Sequence, residues 1–199
     1  MKNSEDDRGF SMALTKRSEK RAKVVIRGMR IDDLPEVFHL GESLFTRDFL
    51  PLLYRTWDEY EVTSLFNNNS ELCLVAERGG KIVGFAMGTT VEKAGSPWKY
   101  GYLVWLGVEK AYQSRGIGRR LYREMERRML KLGARMIITD TDERNEPAVS
   151  FFEKMGFSKA RGHLWLSKTL KGRRRGKGEG REEALVERRS EKTESGEEK

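Results

Sequence analysis

Trp105-Leu-Gly-Val-Glu-Lys-Ala-Tyr-Gln-Ser-Arg-Gly-Ile-Gly-Arg-Arg-Leu121 reads as a strand that enters a glycine-bearing loop, and the loop opens a helix. The strand belongs to an apolar run, Tyr100–Val108, of the kind expected where both faces of a sheet are covered. From Gly116 to Leu132, the residues Ile117, Leu121, Met125, Met129 and Leu132 recur at helical spacing, and Gly133 can end that helix. A helix start has unpaired N–H groups and the positive end of the dipole, so phosphate can bind there. Gly116 and Gly118 carry no side chain that would keep a pyrophosphate off the backbone. Arg115, with Arg119 or Arg120, adds charge-assisted contacts. A dinucleotide fingerprint needs a third glycine where Leu121 stands, and a P-loop needs Gly-Lys-Ser/Thr, so neither fits. A helix start with two incidental glycines is the plain alternative.

Upstream, Val24-Val25-Ile26 reads as a short strand. Asp32 is placed to cap a helix bearing Leu34, Val37, Phe38, Leu44 and Phe45, with Pro35 in its first turn. His39 falls beside that apolar stripe and reads as a surface residue. Thr56-Trp57-Asp58-Glu59 matches a capping box for a second helix through Leu65 and Phe66, ended by Asn67-Asn68-Asn69. Leu72–Glu77 and Lys81–Val91 form a hairpin through Arg78-Gly79-Gly80. Gly84 and Gly88 mark bulges or a close approach to the backbone, and Gly95-Ser96-Pro97 is a loop. Downstream, Met136–Thr139 reads as a short buried strand. Asn145 caps a helix carrying Ala148, Phe151, Phe152 and Met155, Gly156 stops it, and Phe157–Leu170 supplies one or two last strands. The fold class is therefore α/β or α+β, a mixed, mostly antiparallel sheet flanked by helices in a single domain.

The chain of 199 residues carries 39 basic and 31 acidic side chains, one cysteine and two histidines. One cysteine excludes a disulfide framework, and with two distant histidines it cannot build a zinc site, so no metal is expected. No run approaches the roughly 18 consecutive apolar residues of a membrane helix, and Met1 to Lys23 lacks a secretory h-region. The expectation is a cytoplasmic protein with no membrane contact. Much of the net charge of +8 sits in two polar segments, 1–23 and 171–199. Lys171–Gly180 cannot bury enough surface to offset its ordering entropy, so the segment 171–199 reads as a disordered tail. Arg173, Arg174, Arg175 and Lys177 could touch RNA or a ribosome, but Glu182, Glu183 and Glu187 interleave and favour a solvated tail. Nucleic acid is accordingly not expected as a partner. The organised domain spans 24–170, and a chain ending at Leu170 is expected to keep its melting temperature. A large fall in a thermal melt would show instead that the tail docks on the domain.

Gln113-Ser-Arg-Gly116-Ile-Gly118 resembles the acyl-CoA pyrophosphate loop of the Gcn5-related N-acetyltransferase (GNAT) superfamily. Asn145-Glu-Pro-Ala148-Val-Ser-Phe-Phe152-Glu-Lys-Met-Gly156-Phe157 independently resembles that family's cofactor-flanking helix. The order of the two motifs, about thirty residues apart with a helix and strand between, strengthens both. The resemblance covers roughly 24–170 and implies direct transfer of acetyl from acetyl-CoA to a primary amine, either a protein N-terminus or a small amine. It further implies that the backbone of Leu106, Gly107 and Val108 meets the pantetheine arm. The loop Gln113, Ser114, Arg115, Gly116, Ile117, Gly118 and Arg119 would hold the pyrophosphate, and Asn145 and Phe152 would flank the cofactor.

Two departures from the family pattern bear on the chemistry. A tyrosine that often protonates the leaving thiolate is replaced by Phe152, and Tyr100–Val108 holds no catalytic glutamate. A thiolate is a tolerable leaving group, with a free-thiol pKa of about 8.5, so an acid helps without being obligatory. A base is needed more, because an amine is largely protonated at neutral pH. Asp140 ends the Met136–Thr139 strand five residues before Asn145, an offset at which related enzymes acting on a protein N-terminus carry a proposed base. Asp142 shares its side by strand parity, and Glu92, Tyr100 and Tyr102 are further candidates. Both aspartates have a purely electrostatic alternative, as acids ahead of a helix N-terminus. Phe49, Leu50, Trp57, Tyr60 and Trp98 could line an acceptor pocket, though core packing explains most of them equally well. An acyl-CoA-binding module without catalysis is the competing function. The oligomeric state is open, a homodimer being one option.

Overall fold

Four antiparallel strands in chain order and a fifth in parallel make the sheet β1-β2-β3-β4-β5. They are β1 (Val25–Gly28), β2 (Cys73–Arg78), β3 (Lys81–Glu92), β4 (Lys99–Val108) and β5 (Met136–Ile138). The helices are α1 (Leu34–Leu44), α2 (Glu59–Asn68), α3 (Ile117–Lys131) and α4 (Glu146–Lys154). This computed structural model describes residues 22–45, 57–92, 95 and 98–158. The chain divides after Ser158 into two units, and every described residue lies in the first. The strands expected within Phe157–Leu170, and Phe49, Leu50 and Thr56, therefore fall at or beyond the limits of the described residues.

Period-2 alternation sends β2 side chains to two cores. Leu74 and Ala76 meet Leu121, Met125 and Met129 of α3 on one face. Cys73 and Val75 meet Val37 of α1 and Val62 and Leu65 of α2 on the other. Both strand glycines flagged in the sequence sit where the ladder shifts register. Near Gly84 the shift falls between Ala76 and Glu77, and the second falls between Met87 and Gly88. A Cβ on Gly88 would lie 2.8 Å from the carbonyl oxygen of Tyr102, so bulge and close backbone approach coincide. The second shift leaves Val104 as the extra residue on β4, between Leu103 opposite Gly88 and Trp105 opposite Met87. Its effect is to reverse side-chain parity. Leu103 packs on the α3 side, whereas Trp105 joins the α1–α2 core.

Several local expectations need correction. A 3-10 turn, Ile31–Asp33, precedes α1, and Asp33 rather than Asp32 occupies the cap position. The Asp33 carboxylate is drawn away by Arg27 at 2.6 Å and by the Arg30 amide at 2.7 Å, which hold its pKa below the usual range. At α2 the cap is Asp58, whose side chain accepts from the Glu61 amide at 2.8 Å. The short strand β5 is not fully buried, since Met136 and Ile138 are 50% and 40% exposed. Its short apolar run resembles a buried strand in sequence, and it is the last strand of the sheet among the described residues. His39 is at the surface, as expected, beside Glu42.

Trp57 is a core residue. Its ring packs on Phe45, Phe85 and Trp105, and its indole N–H donates to the Phe38 carbonyl at 2.9 Å. A Cβ on Gly41 of α1 would fall inside that ring. Alanine favours a helix over glycine by about 1 kcal/mol, but overpacking costs about 1–3 kcal/mol. Gly41→Ala is thus expected to lower the melting temperature by a few degrees. A neutral or raised value in a thermal melt would mean that Trp57 can leave its slot.

Candidate active site

The loop after β4 is held to the strand it leaves. Gln113 Nε2 donates to the Val108 carbonyl at 2.9 Å. Ser114 and Gly116 are left-handed, at φ 59° and 77°, and Gly116 is the cap residue of α3. No side chain caps this helix and no acid lies in its first turn. Arg119 and Arg120 stand there instead, although the dipole favours acids at this end. A basic, uncapped helix start is suited to an anion brought from outside. The glycines agree with that. A Cβ on Gly116 would meet nothing within 4 Å, and one on Gly118 would make only ordinary contact with Phe151 at 3.5 Å. The chain's own packing requires neither of them, although the positive φ of Gly116 does favour glycine.

Gly107 is different. Its missing side chain is explained internally, because a Cβ would lie 2.8 Å from Leu44 Cδ1 and 3.1 Å from Phe85. Leu106 and Val108 pack toward the α3 core. Ile117 is buried, anchoring the first turn of α3 to the sheet. Arg115 and Arg78 both stack on Tyr112, with guanidinium carbons 5.7 and 5.3 Å from the ring centre. Arg120 is engaged by the Val24 carbonyl at 3.0 Å, so Arg119 is the first-turn arginine with no partner among the described residues.

Strands β4 and β5 pair only over Tyr100↔Met136, Gly101↔Ile137 and Tyr102↔Ile138. Thr139 Oγ1 then donates to the Leu103 carbonyl at 3.0 Å. Beyond that point β4 continues to Val108 while the other chain leaves the ladder toward Asn145. Asp140 stands at this parting, and the Tyr102 hydroxyl donates to its Oδ1 at 2.5 Å. The parting and the basic helix start are therefore two ends of one strand segment. Tyr102 to Val108 is six residues, about 20 Å of extended chain.

The other acids expected near the site are paired elsewhere. Arg144 grips Asp142 through Nε at 3.0 Å, Nη2 at 2.8 Å and its backbone N–H at 2.9 Å. These bonds push the Asp142 carboxyl down to about 2, which leaves it a weak base. Glu92 lies at the far end of β3 and pairs with Lys99 at 2.6 Å. Asn145 does cap α4, accepting from Ala148 N–H at 3.3 Å, and its Nδ2 has no partner among the described residues. Phe151 and Phe152 are both half-buried against the α3 core, Phe152 5.2 Å from Phe157 and Phe151 beside Gly118. The sequence motif names both rings and cannot say which one faces the loop. Tyr60 and Trp98 are exposed.

Two buried groups are chemically inert by comparison. Burial lifts the Cys73 thiol to about 12. Tyr122 is lifted to about 12 by burial and by Glu126. Among the described residues no cluster of three or more His, Cys, Asp or Glu could hold a metal, and no helix is long and apolar enough to cross a membrane.

Fold and loop together define a mixed-sheet α/β protein with a basic, uncapped helix start at one end of a parted strand. The family described as "Acetyltransferase (GNAT) family" matches residues 35–157, and the chain belongs to that family of acetyltransferases. Acetyltransferase SG1711 of Sodalis glossinidius (strain morsitans) is 31% identical over 147 residues, covering 73% of this chain and 94% of the relative. The aminoglycoside acetyltransferase AAC(6')-Iy, solved with the bisubstrate analogue CoA-S-monomethyl-acetylneamine, has a TM-score of 0.60 at 17% identity. That match covers 74% of this chain and 99% of the other. The NatC complex bound to Gag peptide and CoA gives 0.61 at 18% identity, covering 70% and 87%. At such identities the two structures speak for the fold.

Proposed function

We propose that this acetyltransferase moves acetyl from acetyl-CoA to a primary amine, with Asp140 as the base. The observation that carries the reading is the carboxylate at the β4–β5 parting, one strand segment away from a basic, uncapped helix start. Gln113–Arg119 hold the pyrophosphate through the first-turn N–H groups, with Arg115 and Arg119 adding charge. The backbone of Leu106, Gly107 and Val108 flanks the arm, and Asn145 Nδ2 is free to donate to it. Residues 24–170 form the catalytic domain, with 1–23 and 171–199 outside it.

Acetyl-CoA, when bound, supplies a thioester carbon and a thiolate leaving group. Asp140 takes one proton from the acceptor ammonium, and the freed nitrogen lone pair forms the C–N bond while the C–S bond breaks. The nitrogen of the new bond loses its second proton to water, and the proton on Asp140 returns to the thiolate by way of solvent. Amide, CoA thiol and one released proton are the products. With Phe152 in place of a hydroxyl, α4 offers no acid at that position. Neighbours of this fold are bound to an acetylated amino-sugar analogue and to a peptide, which supports an amine as acceptor without choosing its class. Transfer of labelled acetyl to a panel of N-terminal peptides, polyamines and amino sugars tests the reading. Acetylation of one class is expected. CoA binding with no transfer to any of them would favour a binding module that has lost its chemistry.

A further inference from the structure

We infer that Glu61 selects the acceptor: its carboxylate takes a second cationic group of an extended diamine or polyamine while another nitrogen of the same molecule is acetylated. Glu61 has this role only if acetyl passes to an amine at the β4–β5 parting, as proposed above. Asp140 need not be the base.

Glu61 stands out by what it lacks. Asp58 caps α2 by accepting from the Glu61 amide at 2.8 Å. In a capping box the side chain at this third position would accept in return from the cap residue's own N–H, and Glu61 does not. Its Oε1 faces β4 instead, accepting from the Trp105 indole N–H at 3.4 Å. That is a long bond from a neutral donor. Every other buried or half-buried carboxylate among the described residues accepts from a cation or, for Asp58, from a backbone N–H. Glu61 is half-buried and pairs with no cation among the described residues. A carboxylate partly withdrawn from water is destabilising unless a cation meets it, and a ligand can bring that cation.

Its position says which ligand. Trp105 belongs to the α1–α2 core, so Glu61 stands on the sheet face opposite α3. On the α3 face β4 is closed, because Leu103, Leu106 and Val108 pack there. The other face is open beyond Trp105. Ile137 packs toward α3, and its neighbours Met136 and Ile138 alternate to the α1–α2 side, where both are exposed. An acceptor bound for the parting therefore comes over this face, past Glu61. From Trp105 back to Tyr102, the last β4 residue paired with β5, is three residues, about 10 Å of strand. Half-buried Val104 and exposed Ile138 make that interval apolar. A carboxylate, an apolar interval and a reacting centre in line fit a run of methylenes with a nitrogen at each end. One ammonium pairs with Glu61 and the other nitrogen reaches the thioester. At Glu61 itself no bond is made and no proton moves.

The test uses the full chain, saturating acetyl-CoA and two acceptors: α,ω-diaminooctane, and nonylamine, which has a methyl group in place of the second nitrogen. The diamine should show a KM roughly ten- to a hundredfold below that of nonylamine, with similar kcat. Glu61→Gln should erase the difference by raising the KM of the diamine alone, and Glu61→Lys should reverse it. Added salt should narrow the gap in the parent, an arm that needs no variant. Equal KM values in the parent would overturn the role of Glu61, and so would a gap that survives in folded Glu61→Gln. Either result leaves acetyl transfer to an amine standing. If neither amine is acetylated, the proposed acceptor class fails for alkylamines, and binding decides the role of Glu61. The Trp105 indole N–H resonance should then move when diaminooctane is added to the CoA complex and stay in place with nonylamine. A resonance unmoved by the diamine would overturn it.

Discussion

Gly116→Val should lower the affinity for acetyl-CoA about a hundredfold or more while the domain still folds. Two effects act at this residue, and they differ in size and in what they touch. The backbone is left-handed, at φ 77°, where a residue with a Cβ costs roughly 1–2 kcal/mol and a β-branched one more. That strain lowers the melting temperature by several degrees and is spread over the cap of α3 alone. The second effect is steric and falls on the ligand. A Cβ here meets no protein atom within 4 Å, so the protein does not oppose the added bulk, but an anion approaching the first-turn N–H groups does. Losing two charge-assisted bonds of about 1.5–3 kcal/mol each is worth several kcal/mol. Gly116→Asn separates the two effects, because asparagine tolerates the left-handed region. It should fold almost as the parent does and still bind weakly. Calorimetry on the folded variants decides the matter: unchanged CoA affinity in both would remove the phosphate role from this loop.

What the sequence makes legible follows from which physics is local. The loop at Gln113–Gly118 could be read because glycine positions, helix spacing and a preceding apolar strand are all written within about thirty residues. The hairpin turn at Gly79-Gly80 was legible for the same reason, and both glycines have positive φ. The placement of Asp140 was partly legible, through parity and its offset from Asn145. Its bond to Tyr102 was not, because that pair is 38 residues apart and depends on the parallel register of β5 on β4. A tyrosine in the strand before the loop was noted as a candidate, yet nothing local could say which carboxylate it meets.

The misreadings have the same origin. Asp32 and Asp33 are equivalent as sequence caps, and the 3-10 turn puts Asp33 at the cap position while Arg27 takes its carboxylate. Gly107 has a reason to lack a side chain that no local pattern shows, the closeness of Leu44 on α1 and of Phe85 on the paired strand β3. Short-range chemistry therefore reads well from one dimension, and contacts made across the sheet do not.

Asp140→Asn should lower kcat at neutral pH by roughly a hundredfold and leave acetyl-CoA affinity nearly unchanged. Asparagine keeps the size of the side chain and can still accept from the Tyr102 hydroxyl, so the geometry survives. It cannot take a proton from an ammonium group. The variant must then wait for amine that is already neutral, and the fraction of such amine rises tenfold per pH unit below the amine's own pKa. The deficit should accordingly shrink as pH rises. The pH at which it closes reports the acceptor: near 8 for a protein N-terminus and above 10 for a lysine-like alkylamine. The same experiment examines α4. With phenylalanine at position 152, no alkaline limb from a tyrosine on that helix should appear. Two controls bear on the assignment. Asp142→Asn should keep its activity, since Arg144 already holds that carboxyl down to about 2, and Glu92→Gln should too, being tied to Lys99 at the far end of β3. If Asp140→Asn keeps full activity while either control loses it, the base is that other residue. If all three keep it, water removes the proton, and the bond between Asp140 and Tyr102 serves only to pin the loop to the sheet.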